Sequence, residues 1–240
     1  MNRSIQVCKR SLLLTVLVPP LVASVASCTS DDAVQEPQFS ALPAVAGAGS
    51  AEQHLATTTD GTVVMSWLEP SEPGTDLRWS RLHGNQWEDP RSVASGGNWF
   101  VNWADFPSVE PISESLWAAH WLVNRPGGTF AYDVAISISE DAGSTWSETV
   151  IPHQDDTPTE HGFVSLFPWQ DKIGALWLDG RNMQPSDDGH GHGGMTLRSV
   201  ALAGDLARHR KTEVDDLVCD CCQTDVAIGA SGPIAVYRNR

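Results

Sequence analysis

Trp117-Ala118-Ala119-His120-Trp121 is a short apolar run that closes on an aromatic residue, and it recurs. Val63-Val64-Met65-Ser66-Trp67 precedes it, and Ile173-Gly174-Ala175-Leu176-Trp177 and Pro233-Ile234-Ala235-Val236-Tyr237 follow. The closing aromatics stand 54, 56 and 60 residues apart, a period that marks one supersecondary unit used repeatedly. Before each run lies a polar-apolar segment and a turn, as in His54-Leu55-Ala56-Thr57 ahead of Asp60-Gly61. After each of the first three comes an alternating segment, at 76–82, 132–139 and 195–202, with the period-two signature of a half-buried strand. A fourth strand is expected at 89–93, 148–152 and 211–214. Four antiparallel strands at this period describe a β-propeller blade. The fold expected is therefore all-β: about three full four-stranded blades plus the start of a fourth. Trp67, Trp121 and Trp177 are expected to fill equivalent slots between blades, with each indole N–H on a carbonyl.

Composition agrees with this reading and removes alternatives. The chain of 240 residues has 20 Gly and 15 Pro, too many for a helical bundle, and its 41% hydrophobic content excludes disorder. A net charge of -15 repels phosphate backbones, so no nucleic-acid partner is expected. Residues 1–27 read as a secretory signal: Arg3, Lys9 and Arg10 open it, and an apolar run from Leu12 to Val22 follows. Val25-Ala26-Ser27-Cys28 resembles a bacterial lipobox, which implies a lipidated Cys28 and a place on the cell envelope, held to the membrane by the lipid anchor alone. Residues 28–50 have no periodicity and read as a flexible tether, leaving 51–240 for the propeller.

Ser139-Glu140-Asp141-Ala142-Gly143-Ser144-Thr145-Trp146 fits S-x-D-x-G-x-T-W, the Asp-box or BNR repeat, and on it the chain resembles the sialidase (neuraminidase) superfamily. Locally, Asp141 can accept backbone N–H bonds across a tight turn, Gly143 supplies a positive φ, and Trp146 packs beneath. A decayed copy keeps Ser80, Gly84 and Trp87 but has Leu82 in place of the Asp. In the family the box lies opposite the ligand face, so Ser139, Asp141, Gly143 and Trp146 are expected to be structural. The resemblance implies a six-bladed ring, a sialic acid carboxylate held by three arginines, an Asp acid and a Tyr–Glu nucleophile pair. It implies no cofactor. No F-R-I-P segment precedes Asp60, and the late blades that carry the Tyr and an arginine are missing. With three blades and part of a fourth, the chain is expected to be the front of a longer protein, because an open ring leaves sheet edges unpaired.

Blade topology selects the loops that share one face: 98–105, 153–162 and 215–223 between blades, and 69–75, 124–129 and 179–194 within them. Asp105 is the candidate acid, its pKa expected to be raised by apolar neighbours Trp103 and Phe106, although a turn-capping Asp is the simpler reading. Arg181 and Arg238 follow the second strands of successive blades and resemble carboxylate-binding arginines; an Asp–Arg surface pair is the alternative. Trp99 and Trp103 can stack on a sugar or pack beneath the loop. Cys219-Asp220-Cys221-Cys222 has two readings. One is a Cys219–Cys222 disulfide with a single thiol over, and the other is a Zn or Cu site completed by His161, His190 or His192. Two functions follow: an exported exo-glycosidase acting on terminal sialic acid or a related acidic sugar, and a non-catalytic propeller that binds glycan, protein or metal at the loop face.

Overall fold

The computed structural model describes residues 36–72, 74–184 and 192–240. The expectations for the 1–27 signal, Cys28 and His190 lie outside the described residues. Residues 36–40 have no regular secondary structure, and Ala41–Arg240 form a compact unit of their own.

The unit is built of four antiparallel sheets, and no helix occurs among the described residues. The first contains β1 (Ala51–Thr57), β2 (Val63–Pro70), β3 (Thr75–His83), β4 (Gln86–Trp87) and β5 (Arg91–Gly96), with β4 and β5 both pairing β3. The second is β6 (Ser108–Pro111), β7 (Trp117–Asn124) and β8 (Tyr132–Ser139). The third is β9 (His161–Trp169), β10 (Lys172–Gln184), β11 (His192–Leu202) and β12 (Arg208–Val218), and the fourth is the hairpin β13 (Asp225–Gly229) with β14 (Gly232–Val236). The first strands of successive sheets meet: β1 touches β6, β6 touches β9 and β9 touches β13. Sheets that share their innermost strands in this order are arranged about an axis, as blades of a propeller are.

Three apolar cores lie between the four sheets, and strand alternation explains why. In β7, Trp117, Ala119 and Trp121 face the first sheet with Leu77 and Trp79, while Ala118 and Leu122 face the third with Ile173, Ala175 and Trp177. In β10 the opposite parity, Leu176 and Leu178, faces Val226, Ala235 and Tyr237 of the hairpin side. Trp79 meets Trp117 edge-on with ring centroids 4.9 Å apart, and the Arg81 guanidinium lies over both rings. Trp67, Trp121 and Trp177 are all buried, as their spacing implies. Their N–H partners differ from expectation. Trp67 Nε1 donates to Glu69 Oε2 at 2.9 Å and Trp177 Nε1 to Asp179 Oδ2 at 2.8 Å, so a carboxylate two residues on replaces the carbonyl.

The fourth strand expected at 148–152 is reduced to one bridge, Ile136 with Val150. The reason is a side chain in the ladder. Ser147 Oγ accepts the Ile138 N–H at 3.0 Å and Ser137 Oγ donates to the Ser147 carbonyl at 2.8 Å, so hydroxyls take bonds that a regular strand would make through its backbone.

The Asp-box turn joins β8 to this bridge. Asp141 Oδ1 accepts the Thr145 N–H at 2.8 Å, its Oδ2 accepts the Thr145 hydroxyl at 2.7 Å, and Ser139 Oγ accepts the Gly143 N–H at 2.8 Å. Gly143 has φ of 81°, and a Cβ there would stand 2.5 Å from Trp79 Cζ2. Trp146 packs on the same Trp79–Trp117 core. Gly143→Ala should therefore cost about 2–4 kcal/mol, combining left-handed backbone strain with overpacking. Urea melts of the two proteins measure it; a loss under about 0.5 kcal/mol, the range of ordinary surface substitutions, would detach the turn from the core.

Candidate functional site

Two β-bulges at the loop end of the third sheet place the site. In β9, Gly162 pairs Leu178 and Ser165 pairs Leu176, so Phe163 and Val164 together oppose Trp177. Phe163 takes φ of 53°, and its N–H turns out of the ladder to donate to Asp105 Oδ1 at 2.8 Å. In β10, Asp179 pairs Thr196 and Asn182 pairs Gly194, so Gly180 and Arg181 together oppose Met195. That bulge folds Arg181 back on Asp179, with Nε to Oδ1 and Nη2 to Oδ2 both at 2.6 Å.

Asp105 is the centre of a cleft of about 400 Å³ whose lining includes Trp103, Tyr132, Glu160, Met183 and Cys221. It is 3% exposed and approaches the backbone so closely that a Cβ on Gly162 would stand 1.9 Å from its Oδ2. Burial pushes its pKa up to about 7; the Phe163 N–H works against this and the Glu160 carboxylate adds to it. The raised pKa expected for Asp105 is thus present; burial is its main cause and the Glu160 charge adds to it, whereas the Tyr132 hydroxyl works against it. Tyr132 Oη stands 2.9 Å from Glu160 Oε1 and 3.4 Å from Asp105 Oδ2. Burial, then the two carboxylates, raise the phenol pKa far above its ordinary value, so Tyr132 remains protonated and donates.

A second buried polar group adjoins the first through His161, which sits between Glu160 and Gly162 in the chain. The His153 and His161 rings stack at 3.8 Å, and Asp155 bridges them, Oδ1 to His153 Nδ1 at 3.0 Å and Oδ2 to His161 Nε2 at 3.1 Å. His161 Nδ1 meets the carbonyls of Thr159 and Tyr132, so both ring nitrogens face acceptors. Burial pulls the His161 pKa down, but the Asp155 bond and the Asp179 charge outweigh it and the net shift is upward. His153, with one such bond, is shifted down by its burial. Asp155 is held well below the usual carboxylate range, because the two histidine bonds overcome its burial.

The other expected site residues divide. Trp103 is 84% exposed at the cleft mouth, where a face is open to a ligand, whereas Trp99 stacks on Trp121 at 5.4 Å and packs in the core between the first two sheets. Arg181 forms an Asp–Arg pair in which Asp179 is wholly inaccessible and the guanidinium is partly exposed. Arg238 is exposed, with Nη1 3.9 Å from Cys222 Sγ. Cys219 and Cys222 form a disulfide, leaving Cys221 as the exposed thiol, in line with the first reading of the cysteines. His192 enters only as the first backbone position of β11. Tyr132, Glu160, His153 and Asp155 escaped the sequence reading. The clustering of acids and histidines in 153–161, directly after a blade, was the available signal.

No family model matches the chain, and no curated protein matches it. Among solved structures it is similar to an α-L-arabinanase of Penicillium chrysogenum complexed with arabinobiose, with a TM-score of 0.51 and 13% identity over 78% of this chain and 58% of that one. It is also similar to a sialidase from Streptococcus pneumoniae (TM-score 0.46, 12% identity, 78% of this chain, 28% of that) and to an α-L-arabinofuranosidase from Lactobacillus brevis (0.46, 9%, 80% and 65%). The chain thus spans little more than half the length of the arabinanase. The class defined by fold and cleft is an all-β propeller that gathers carboxyl groups at one mouth.

Asp155→Asn should cost about 3 kcal/mol at neutral pH, since it removes the carboxylate that bridges the buried His153 and His161 rings. Asp155's folded pKa is depressed, so its contribution is fully present above the ordinary carboxylate range and declines only gradually as the pH falls from there toward the folded value. Paired melts at pH 7 and pH 3 check this: the two proteins should differ most at the first, and the gap should narrow at the second without closing.

Proposed function

We propose that this propeller is a glycoside hydrolase in which Asp105 is the general acid and Tyr132, with Glu160 as its base, is the nucleophile. The observation that carries it is a single hydroxyl, Tyr132 Oη, within reach of two carboxyl groups at the floor of one cleft. A carboxyl group with a pKa of about 7 holds its proton in about half of the molecules at neutral pH and can deliver it to a glycosidic oxygen. A buried phenol does not ionise by itself, so attack by Tyr132 Oη on the anomeric carbon requires its proton to pass to Glu160 as the bond forms. These are the residue types of the sialidase set, where a Tyr nucleophile departs from the two-carboxylate rule. Trp103 offers an exposed ring on which a sugar can stack.

For the substrate we propose a terminal sialic acid or a related acidic sugar, removed from glycans outside the cytoplasm by a lipid-anchored envelope protein. Arg181 has its fork on Asp179, so Arg238 is the arginine to meet the sugar carboxylate; it has no carboxylate partner among the described residues. The experiment is turnover of a fluorogenic α-sialoside, with a fluorogenic α-L-arabinofuranoside as the second arm. Turnover is expected from the first and should fall on the alkaline side of about pH 7, as Asp105 loses its proton. Asp105→Asn should lower kcat by about 10²–10⁴-fold. Turnover confined to the arabinoside would move the substrate class, and unchanged kcat in Asp105→Asn would remove the proposed acid.

The same substitution has a stability signature. A folded pKa raised above the unfolded one means that the parent loses stability as pH rises from about 4 to about 7. Asp105→Asn should flatten that slope and melt higher than the parent at pH 8; a parent melt independent of pH over this interval would contradict the buried acid.

A further inference from the structure

We propose that Cys219, Cys221 and Cys222, once reduced, form a three-thiolate site for a thiophilic d¹⁰ cation, Cu⁺ or Zn²⁺, in the wall of the Asp105 cleft. The three sulfurs all lie within 4.8 Å of one another. Cys219 Sγ and Cys221 Sγ are 3.8 Å apart, the edge of a tetrahedron whose metal–sulfur bonds are ~2.3 Å. Thiolate is a soft ligand and selects these ions over hard cations. Cys221 lines the cleft and is exposed, which gives an ion a path in, while Cys219 is buried beneath it.

The frame that carries the sulfurs does not depend on the disulfide. The Cys219 N–H donates to the Arg238 carbonyl at 2.8 Å, and Arg240 Nη2 pairs with Asp220 at 3.1 Å. Gln223 Nε2 donates to the Ala104 carbonyl, which ties the segment to the loop bearing Asp105. Opening the Cys219–Cys222 bond therefore asks for side-chain rotation within a held backbone. The Arg238 guanidinium beside Cys222 Sγ offsets the negative charge that three thiolates around a monovalent cation would gather.

Loading is a redox event followed by a proton exchange. A dithiol reductant gives two electrons and two protons to the Cys219–Cys222 disulfide, which becomes two thiols while the reductant becomes a disulfide. The cation then displaces the protons of the three thiols to solvent. The site thus has two states, a disulfide with one thiol when oxidised and an ion-holding trio when reduced. This reading shares Arg238 with the proposed sugar carboxylate site but uses none of Asp105, Tyr132 or Glu160, so it can fail or hold separately from glycoside hydrolysis.

The test uses the full chain with Cys8→Ser and Cys28→Ser, so that the three thiols are the only ones present. It is reduced with a phosphine, desalted without oxygen, and titrated with Cu⁺ against bicinchoninate and, separately, Zn²⁺ against a chromophoric chelator. The reduced chain should take a single equivalent from at least one chelator, and that ion should protect all three cysteines from alkylation, read by peptide mass spectrometry. The oxidised chain should take none. Cys221→Ser, an exposed substitution, should weaken binding by at least about tenfold. An ion left on both chelators by a reduced chain with its β-sheet spectrum intact overturns the proposal. So do Cys221→Ser binding as tightly as its parent, and a reduced chain that unfolds and is not restored by either ion.

Discussion

The structure depends on sheets that are apolar on both faces. A strand such as β7 sends Trp117, Ala119 and Trp121 one way and Ala118 and Leu122 the other, and all five are buried. A sheet of this kind cannot leave either face in water, since each buried large side chain is worth about 1.5–3 kcal/mol relative to exposure. It has to be stacked between two others. Three such layers repeat between the described sheets, and the tryptophan of each second strand, in β7 and β10, points toward the preceding sheet. The third sheet's far layer is thinner, with Val226, Ala235 and Tyr237 from the hairpin only partly buried against it.

Stacking about an axis brings the loop ends of neighbouring sheets together, and the bulges decide what those ends present. The extra residue in β9 frees one backbone N–H for Asp105, and the one in β10 turns a guanidinium onto Asp179. Both distortions lie at the same end of the same sheet, as bulges beside functional sites do. The cleft is thus formed by departures from regular pairing in the third sheet, set against a loop from between the first and second sheets. Gly162 has to be glycine for the two to meet, because any side chain there would occupy the place of the Asp105 carboxyl group.

How much of this could be read from the sequence follows from which interactions are periodic. The strands, the buried tryptophans and the Asp-box turn are set by local spacing, and a spacing is visible in a single chain. Even the tryptophan partners repeat in it, as Trp67-Leu68-Glu69 and Trp177-Leu178-Asp179, although nothing in the spacing distinguishes a carboxylate from a carbonyl as acceptor. Asp105 was legible as an acid in an apolar loop. Its partners were not, because Tyr132 reads as the first residue of a strand and Glu160 as part of a polar connection, and they join Asp105 only after three segments 27 and 28 residues apart converge. The lost fourth strand of the second sheet was hidden for the opposite reason: 148–152 has the pattern of a strand, and two serine hydroxyls change the ladder without changing that pattern.

Asp105 and Glu160 line the cleft and Asp133, Asp155 and Asp179 lie around the adjoining histidines, and the partners given to each set their charge. Asp155 and Asp179 are buried but meet His161, Arg181 and an indole or imidazole N–H, so both are held below the ordinary carboxylate range. Asp133 has Arg125 at 3.3 Å. Asp105 is as deeply buried as Asp179, yet its donors are a neutral amide and a neutral phenol, with the Glu160 charge nearby, and its pKa rises. The same desolvation therefore yields a permanent anion where a cation shares the site and a neutral acid where none does. That contrast is why the pKa of Asp105 lies above those of Asp155 and Asp179 in the same region. It also explains the placement of the guanidinium groups. An arginine turned toward Asp105 would extinguish its acidity, and Arg181 is instead turned by its bulge onto Asp179, on the far side of His161.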